Sequence, residues 1–427
     1  MVRCGPRTSG ASVSRLARSV RRAGILIAAV ALLAGCGGSD ETTSGGTLTI
    51  AVNAPFSRSP YVGETMFRGA ELAVREINLS GGVPTGKTTY RLRIRRLDNG
   101  LSPRRALDNV RRATASGAVA IVDEGTGVDA SWRVARDAGI PVAITYQGGI
   151  ELVDEDARPN VFRIAPTDRG TAFRLAEYLI PKGLKIALLT DDTGYGRQGG
   201  AALDKAFAGS ADAVALRLAL PATSSDLAPQ VLRARRSGAT ALLVWAEAPT
   251  IAKVLIAARG SGWHVPVYTP SAGEDPLVRQ QLADHPEWID GLTFASGRMT
   301  AEVGTAPWGA FQEKYEVAYG AEQVGVRTRD GKRVVQPPDY AMYSYDFVNV
   351  LAAALARAGA TKGDALIHAL EGVTVQGANG DERGFNENNH EGVVDDDVYF
   401  ARFADMVFTP VKDDPLSKTL PPIEQRR

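Results

Sequence analysis

Cysteine is almost missing from this chain of 427 residues: there are 2, Cys4 and Cys36. Nothing after Cys36 can pair with it, so the body of the protein has no disulfide framework. Histidine is nearly as rare, with 4 residues (His264, His285, His368, His390) scattered along the sequence. None stands in an H-E-x-x-H spacing or beside a cysteine, so neither a zinc site nor any other cofactor is expected. No G-x-S-x-G elbow occurs, and no spacing pairs two carboxylates for acid–base work, so the chain is not read as an enzyme. Long apolar runs are lacking too. The longest useful one, Ala23–Ala34, falls short of the roughly 20 residues that span a bilayer. A basic surplus is also missing. The net charge of +1 averages two unlike parts, because the first 35 residues hold six arginines and no acid. Without those six, 43 of the 49 basic residues stand against 48 acidic ones, a net charge near −5. Such a body offers no electrostatic footprint for nucleic acid.

What is present begins with the amino terminus. Arginines, then a short apolar run, then Leu33-Ala34-Gly35-Cys36 form the order of an export signal ending in a motif that resembles a bacterial lipobox. Small residues let the peptide lie extended in a peptidase cleft, and the Cys36 thiol is the atom that would take a diacylglycerol. Multiple acyl chains would be needed for a firm hold. Residues 1–35 are therefore expected to be a lipoprotein signal, and 36–46, small and polar, a flexible tether. Arg21-Arg22 leaves the export route open. The expected location is the outer face of the cytoplasmic membrane.

From Thr47 onward, short apolar runs alternate with amphipathic ones. Strands are predicted at Thr47–Asn53, Arg91–Leu97, Ala118–Asp123 and Pro141–Thr145, with helices at Glu64–Asn78, Pro103–Ser116 and Ala130–Ala138 between them. A second series of the same kind starts near Val161 and runs to Ser261. Two such series predict an α/β protein of two lobes, each a parallel sheet covered by helices on both faces. Later parts are less regular: helices at Trp308–Tyr319, Tyr343–Ala358 and Lys362–Leu370, a polar loop at Gly325–Pro338, and one last strand at Val398–Phe408. Asp395-Asp396-Asp397 reads as a solvated turn, and residues 411–427 as a loose tail.

Two motifs invite over-reading. Gly81-Gly82-Val83-Pro84-Thr85-Gly86-Lys87-Thr88 fits the phosphate-loop pattern by letter. That loop needs a strand before it and a helix after it, whereas here a helix precedes and a strand follows. Gly125-Thr126-Gly127-Val128-Asp129-Ala130 fits a dinucleotide fingerprint with strand and helix on the correct sides, but on the third strand instead of the first. Its glycine loop at a helix start is expected to meet an anion such as a ligand carboxylate, not a nucleotide. The plainer reading is a helix cap at Gly125 and Thr126.

Several stretches in order then carry a resemblance: Phe67–Asn78 with Gly81-Gly82, Ala138-Gly139-Ile140-Pro141, Val161-Phe162-Arg163, Asp191–Gly196 and Tyr343–Asp346. Over Thr47 to Phe408 the chain resembles the leucine/isoleucine/valine-binding family of transporter receptors, with the type I periplasmic-binding fold. The resemblance implies two lobes, 47–165 with 295–386 and 166–294 with 387–410. They would be joined by a hinge of three segments near Ile164–Thr167, Ala295–Gly297 and Phe385–Asn388. It implies a small-molecule ligand held between the lobes by hinge closure, and a membrane permease of an ATP-driven importer as partner. Carried over one position at a time, the family's ligand contacts fall on Tyr61, Gly125, Thr126, Tyr146, Gln147, Gly148, Tyr195, Glu247, Ser271 and Tyr340. Two departures stand out. Gly148 lacks an expected hydroxyl, and Ser271 replaces the acid that would take a ligand's ammonium. Glu247 is then either a rim charge or that counter-ion, Tyr195 either a contact or turn packing, and Trp245 a core residue. The ligand class stays open between an α-amino acid and another small polar, amide or aromatic compound. A sensor on the same fold, an exported enzyme and a structural lipoprotein are the rival readings.

Overall fold

The computed structural model describes residues 43–297, 306–320, 340–393, 398–404 and 407–414. Cys36, the Gly325–Pro338 loop and the Asp395–Asp397 run lie outside them.

The first sheet is built by β1 (Thr43–Ala54), α1 (Pro60–Leu79), β2 (Val83–Thr85), β3 (Thr88–Asp98), α2 (Pro103–Ala115), β4 (Ala120–Asp123), α3 (Val128–Asp137), β5 (Val142–Ile144) and β6 (Val161–Arg163). Its strand order is β2-β3-β1-β4-β5-β6, parallel except for the β2 edge. Strand β1 starts four residues before Thr47, because Thr43 and Ser44 already pair with Thr88 and Thr89 of β3. The phosphate-loop look-alike is a hairpin: β2 and β3 run antiparallel, with Gly86 at φ 61° in the turn. No helix starts at Lys87.

The second sheet takes α4 (Asp168–Leu179), β7 (Ile186–Asp191), α5 (Gly194–Ala206), β8 (Val214–Leu220), α6 (Ala228–Arg236), β9 (Ala241–Trp245), α7 (Ala248–Gly260), β10 (Val267–Thr269), α8 (Pro276–Gln281) and β11 (Leu292–Ser296). The chain then returns to the first sheet with α9 (Ala306–Tyr319), α10 (Tyr340–Ala358), α11 (Asp364–Leu370), β12 (Thr374–Gln376) and β13 (Glu382–Gly384). It ends back on the second with β14 (Tyr399–Ala404) and β15 (Val407–Pro410). The stretch predicted as one strand from Val398 is thus two antiparallel strands on the edge of the second sheet. That sheet runs β15-β14-β11-β10-β9-β7-β8.

Without their antiparallel edges the two sheets have the same order, with the first strand second from one side. Side chains of β4, β5, β9 and β11 are buried throughout, as expected for central parallel strands with helices on both faces. One face of the first sheet packs Ile50, Val52 and Val122 against α1 and α10, and the other packs Ile121, Val142 and Ile144 against α2 and α3. In the second sheet Leu189, Leu242 and Val244 meet α6 and α7, while Leu188, Leu243 and Trp245 meet α4 and α5. Each such aliphatic side chain contributes roughly 1.5–3 kcal/mol by leaving water. Caps fix where the helices begin. Thr167 accepts from the Gly170 amide at 2.8 Å and Thr193 from the Gly196 amide at 3.0 Å.

Candidate functional site

In an open α/β sheet the crevice lies at the carboxyl ends of the strands, where neighbouring connections diverge to opposite faces. In the first sheet that point falls between β1 and β4, and in the second between β7 and β9. Residues following these strands should therefore line the site.

A narrow cavity of about 630 Å³, counted out to its mouth, is lined from both sheets. Tyr146, Gln147, Gly148 and Tyr340 come from the first, and Tyr195 and Ser271 from the second. These six are among the ten expected contacts. Trp245, Pro166, Asp168, Thr171 and Tyr343 join them, and had not been expected there. Tyr61 stands just behind, its ring edge-on to Tyr340 with centroids 6.1 Å apart; Tyr146 meets Tyr340 at 5.3 Å. Tyr340 and Tyr343 share the cavity because both lie in α10, three residues apart and so on one face. Tyr345 points elsewhere, with its hydroxyl on Glu76 Oε2 at 2.6 Å and its ring against Phe311.

Gly125 and Thr126 are not among the residues lining this cavity. Their amides are already used: Gly125 N donates to Asp123 Oδ1 at 2.8 Å, and Thr126 N to Glu124 Oε1 at 2.9 Å. These two donors of the loop thus face carboxylates of the chain itself. Asp123 and Glu124 are buried on a bed of amides. Asn53 donates to Asp123 Oδ2, Asn99 to Glu124 Oε1, and Gln147 Nε2 to both Glu124 Oε2 and Thr126 Oγ1. Burial, with the Glu124 charge adding to it, pushes the Asp123 carboxyl up to about 7, and burial raises Glu124 as well. Gly127, at φ 86°, is the residue that starts α3.

Gly148 explains its own missing hydroxyl. Its carbonyl accepts the Asp168 amide at 2.8 Å, and a Cβ there would lie 2.4 Å from Asp168 Oδ1. The space a side chain would fill is taken by Asp168. That carboxyl is 8% exposed, and its Oδ2 has no hydrogen-bond partner among the described residues. Burial pushes it up to about 7, with Arg163 pulling down and Glu151 pushing further up. Its only sequence signal was an acid directly after Pro166-Thr167, where a helix-start role is the simpler reading.

Trp245 ends β9 and does both jobs: it is 1% exposed within the core and also forms cavity wall. Its indole Nε1 would sit 2.1 Å from a Cβ at position 199, so only glycine there leaves room for the ring. Glu247 stands two residues on, as the residue before α7. Its amide donates to Asp191 Oδ2 at 2.8 Å. The side chain keeps solvent-accessible surface although protein crowds it on most sides, as a group on a cleft wall does. That crowding, then Asp191, Asp275 and Glu124, pushes it up to about 7. Tyr195 is half-buried, its ring 5.9 Å from Trp245; burial and the nearby Asp168 raise its hydroxyl well above the usual phenol range.

A sequence model of the periplasmic binding protein family matches residues 47–406. The chain belongs to that family. An amino acid binding protein of Pseudomonas aeruginosa is 27% identical over 376 residues, covering 81% of this chain and 87% of its own. Among solved structures, the branched-chain amino acid transporter substrate binding protein of Streptococcus pneumoniae, determined with isoleucine, superposes with a TM-score of 0.71 at 20% identity, over 86% of this chain and 99% of that one. A solute binding protein of Rhodopseudomonas palustris in complex with benzoate gives 0.68 at 17% identity, over 86% and 95%. The expected α/β architecture and the resemblance to leucine/isoleucine/valine-binding proteins are thus borne out. Among the described residues no helix is long and apolar enough to cross a membrane.

Proposed function

We propose that this periplasmic binding protein is the extracytoplasmic receptor of an ATP-driven importer, capturing one small polar molecule and handing it to a membrane permease without altering it. A single observation carries the reading: one cavity is lined jointly by loops from the carboxyl ends of two sheets with matching strand order. Such a site is completed when its walls approach. The lobes 47–165 with 295–386 and 166–294 with 387–410 close by hinge motion about the segments between them. Tyr146, Gln147, Tyr195 and Tyr340 replace water around the ligand, while Tyr61 backs Tyr340 from behind. Signal removal before Cys36 and acylation of its thiol hold the receptor at the membrane.

The relatives bind amino acids or, in the benzoate complex, an aromatic acid, and the cavity has the aromatic lining suited to a compact organic molecule. The test is a thermal-shift screen of amino acids, amides and aromatic acids, with mass spectrometry of whatever co-purifies. A ligand at 100 times its Kd adds about 2.7 kcal/mol of stability. No shift across the screen and no co-purifying compound would refute a receptor role.

A further inference from the structure

The cleft walls carry more acid than base. Around the cavity stand Asp168 from the start of α4, Glu247 from the turn after β9, Asp275 before α8 and Glu124 after β4. Two arginines stand nearby, and neither is among the residues lining the cavity. Arg163 forms a paired contact with Glu391, Nε to Oε2 at 2.7 Å and Nη2 to Oε1 at 2.5 Å, and gives Nη1 to the carbonyls of Gln147 and Gly149. Arg279 stacks on Phe403 and donates from Nη2 to the Glu274 carbonyl at 3.4 Å, while its Nε and Nη1 are buried without a hydrogen-bond partner among the described residues. Glu124 is held by Thr126, Asn99 and Gln147. Asp168 lines the cavity, and Glu247 does not line it but acts electrostatically on the cavity residue Tyr195; neither carboxylate has an ion pair among the described residues. Asp168 is the sharper case, because its Oδ2 is buried on the cavity wall with no hydrogen-bond partner. A buried carboxylate oxygen without a donor is costly unless something arrives to meet it.

We propose that the cleft takes a cationic solute, of the primary ammonium or amidinium class, whose positive group sits on Asp168 with Glu247 as the second negative wall. This deepens the receptor reading above and rests on it. The acid missing at Ser271 is replaced by one on the other side of the cavity, in space vacated by the glycine at position 148. Charge-assisted hydrogen bonds from an ammonium to a desolvated carboxylate are about twice as strong as neutral ones. A carboxylate ligand is disfavoured beside Asp168, because the charged groups that act on it are Arg163, already paired with Glu391, and the acid Glu151.

The experiment is calorimetry on the full chain at pH 8 with 1,4-diaminobutane, L-arginine, L-leucine and benzoate. At least one of the two cations is expected to bind, and leucine and benzoate at least tenfold more weakly. Asp168→Asn should lower affinity for the bound cation by roughly 30-fold or more, and Glu247→Gln, on the solvent side and safe for folding, by a smaller factor. Cation affinity should also rise between pH 6 and pH 8, since Asp168 and Glu247 lie at about 7 and bind a cation only when charged. Binding of leucine or benzoate without either cation overturns the charge assignment and leaves the receptor reading intact. Cation binding unchanged in both variants overturns the role of these carboxylates. Silence from all four compounds overturns the proposal, and with a blank wider screen it overturns the receptor reading too.

Discussion

The two sheets repeat one strand order, yet their diverging points end in acids handled in opposite ways. After β4, Asp123 and Glu124 are buried and every carboxylate oxygen meets an amide or backbone donor of the protein. After β7 and β9, Asp191 is likewise filled, by Thr193 and the Glu247 amide, but Glu247 itself is exposed. The same topological corner thus holds satisfied, buried acids in one half and an exposed acid in the other. What separates them is the supply of asparagine: Asn53, Asn99 and Asn109 form a relay beneath the first pair. Among the described residues no such relay lies under the Glu247 carboxylate.

This contrast can be broken experimentally. The largest effect is expected from Asp123→Ala, which strands the Gly125 amide and the Asn53 side chain inside the protein. Stability measured by urea unfolding should fall by roughly 2–4 kcal/mol. Next comes Gly148→Ala, which forces a Cβ to within 2.4 Å of Asp168 Oδ1. Overpacking of this sort costs about 1–3 kcal/mol, and ligand-induced thermal shifts should shrink with it.

A pH series gives the third test. Asp123, Asp168 and Glu247 are carboxyls whose folded values, about 7, lie above their unfolded ones. The folded state therefore holds more protons between about pH 4 and 7, so these groups make the protein less stable as pH rises through that window. Thermal unfolding should show Tm higher at pH 5.5 than at pH 8, and Asp123→Asn should flatten the difference; an unchanged slope in that variant would contradict its burial. The smallest effect belongs to Glu247→Gln. Stability should stay within about 0.5 kcal/mol of the parent, because no side-chain bond is lost, while any cation affinity falls.

Much of this was readable in the residues. Alternating apolar runs marked the strands of both series, and Pro103 marked a helix start. Tyr146, Tyr195, Ser271 and Tyr340 were placed by the family resemblance, and all four line the cavity. What escaped detection depended on partners distant in sequence. The use of the Gly125 and Thr126 amides by Asp123 and Glu124 is local, but it is favoured only because Asn53 from β1 and Asn99 after β3 arrive to support those acids. Asp168 reaches the cavity only because position 148, twenty residues earlier, has no side chain. Trp245 looked like core and is, though one edge is also wall. The hairpin of β14 and β15 was read as one strand because nothing in a short apolar run signals a reversal without glycine or proline at its centre.

The early start of β1 has one more consequence. Only Gly37–Thr42 separate Cys36 from a chain already pinned to the sheet at Thr43. Fully extended, that leash reaches about 25 Å. A receptor lipidated at Cys36 would then behave as a short-moored buoy, confined to a layer next to the bilayer little deeper than its own body. Its encounters with a permease would be a search across a surface instead of through a volume.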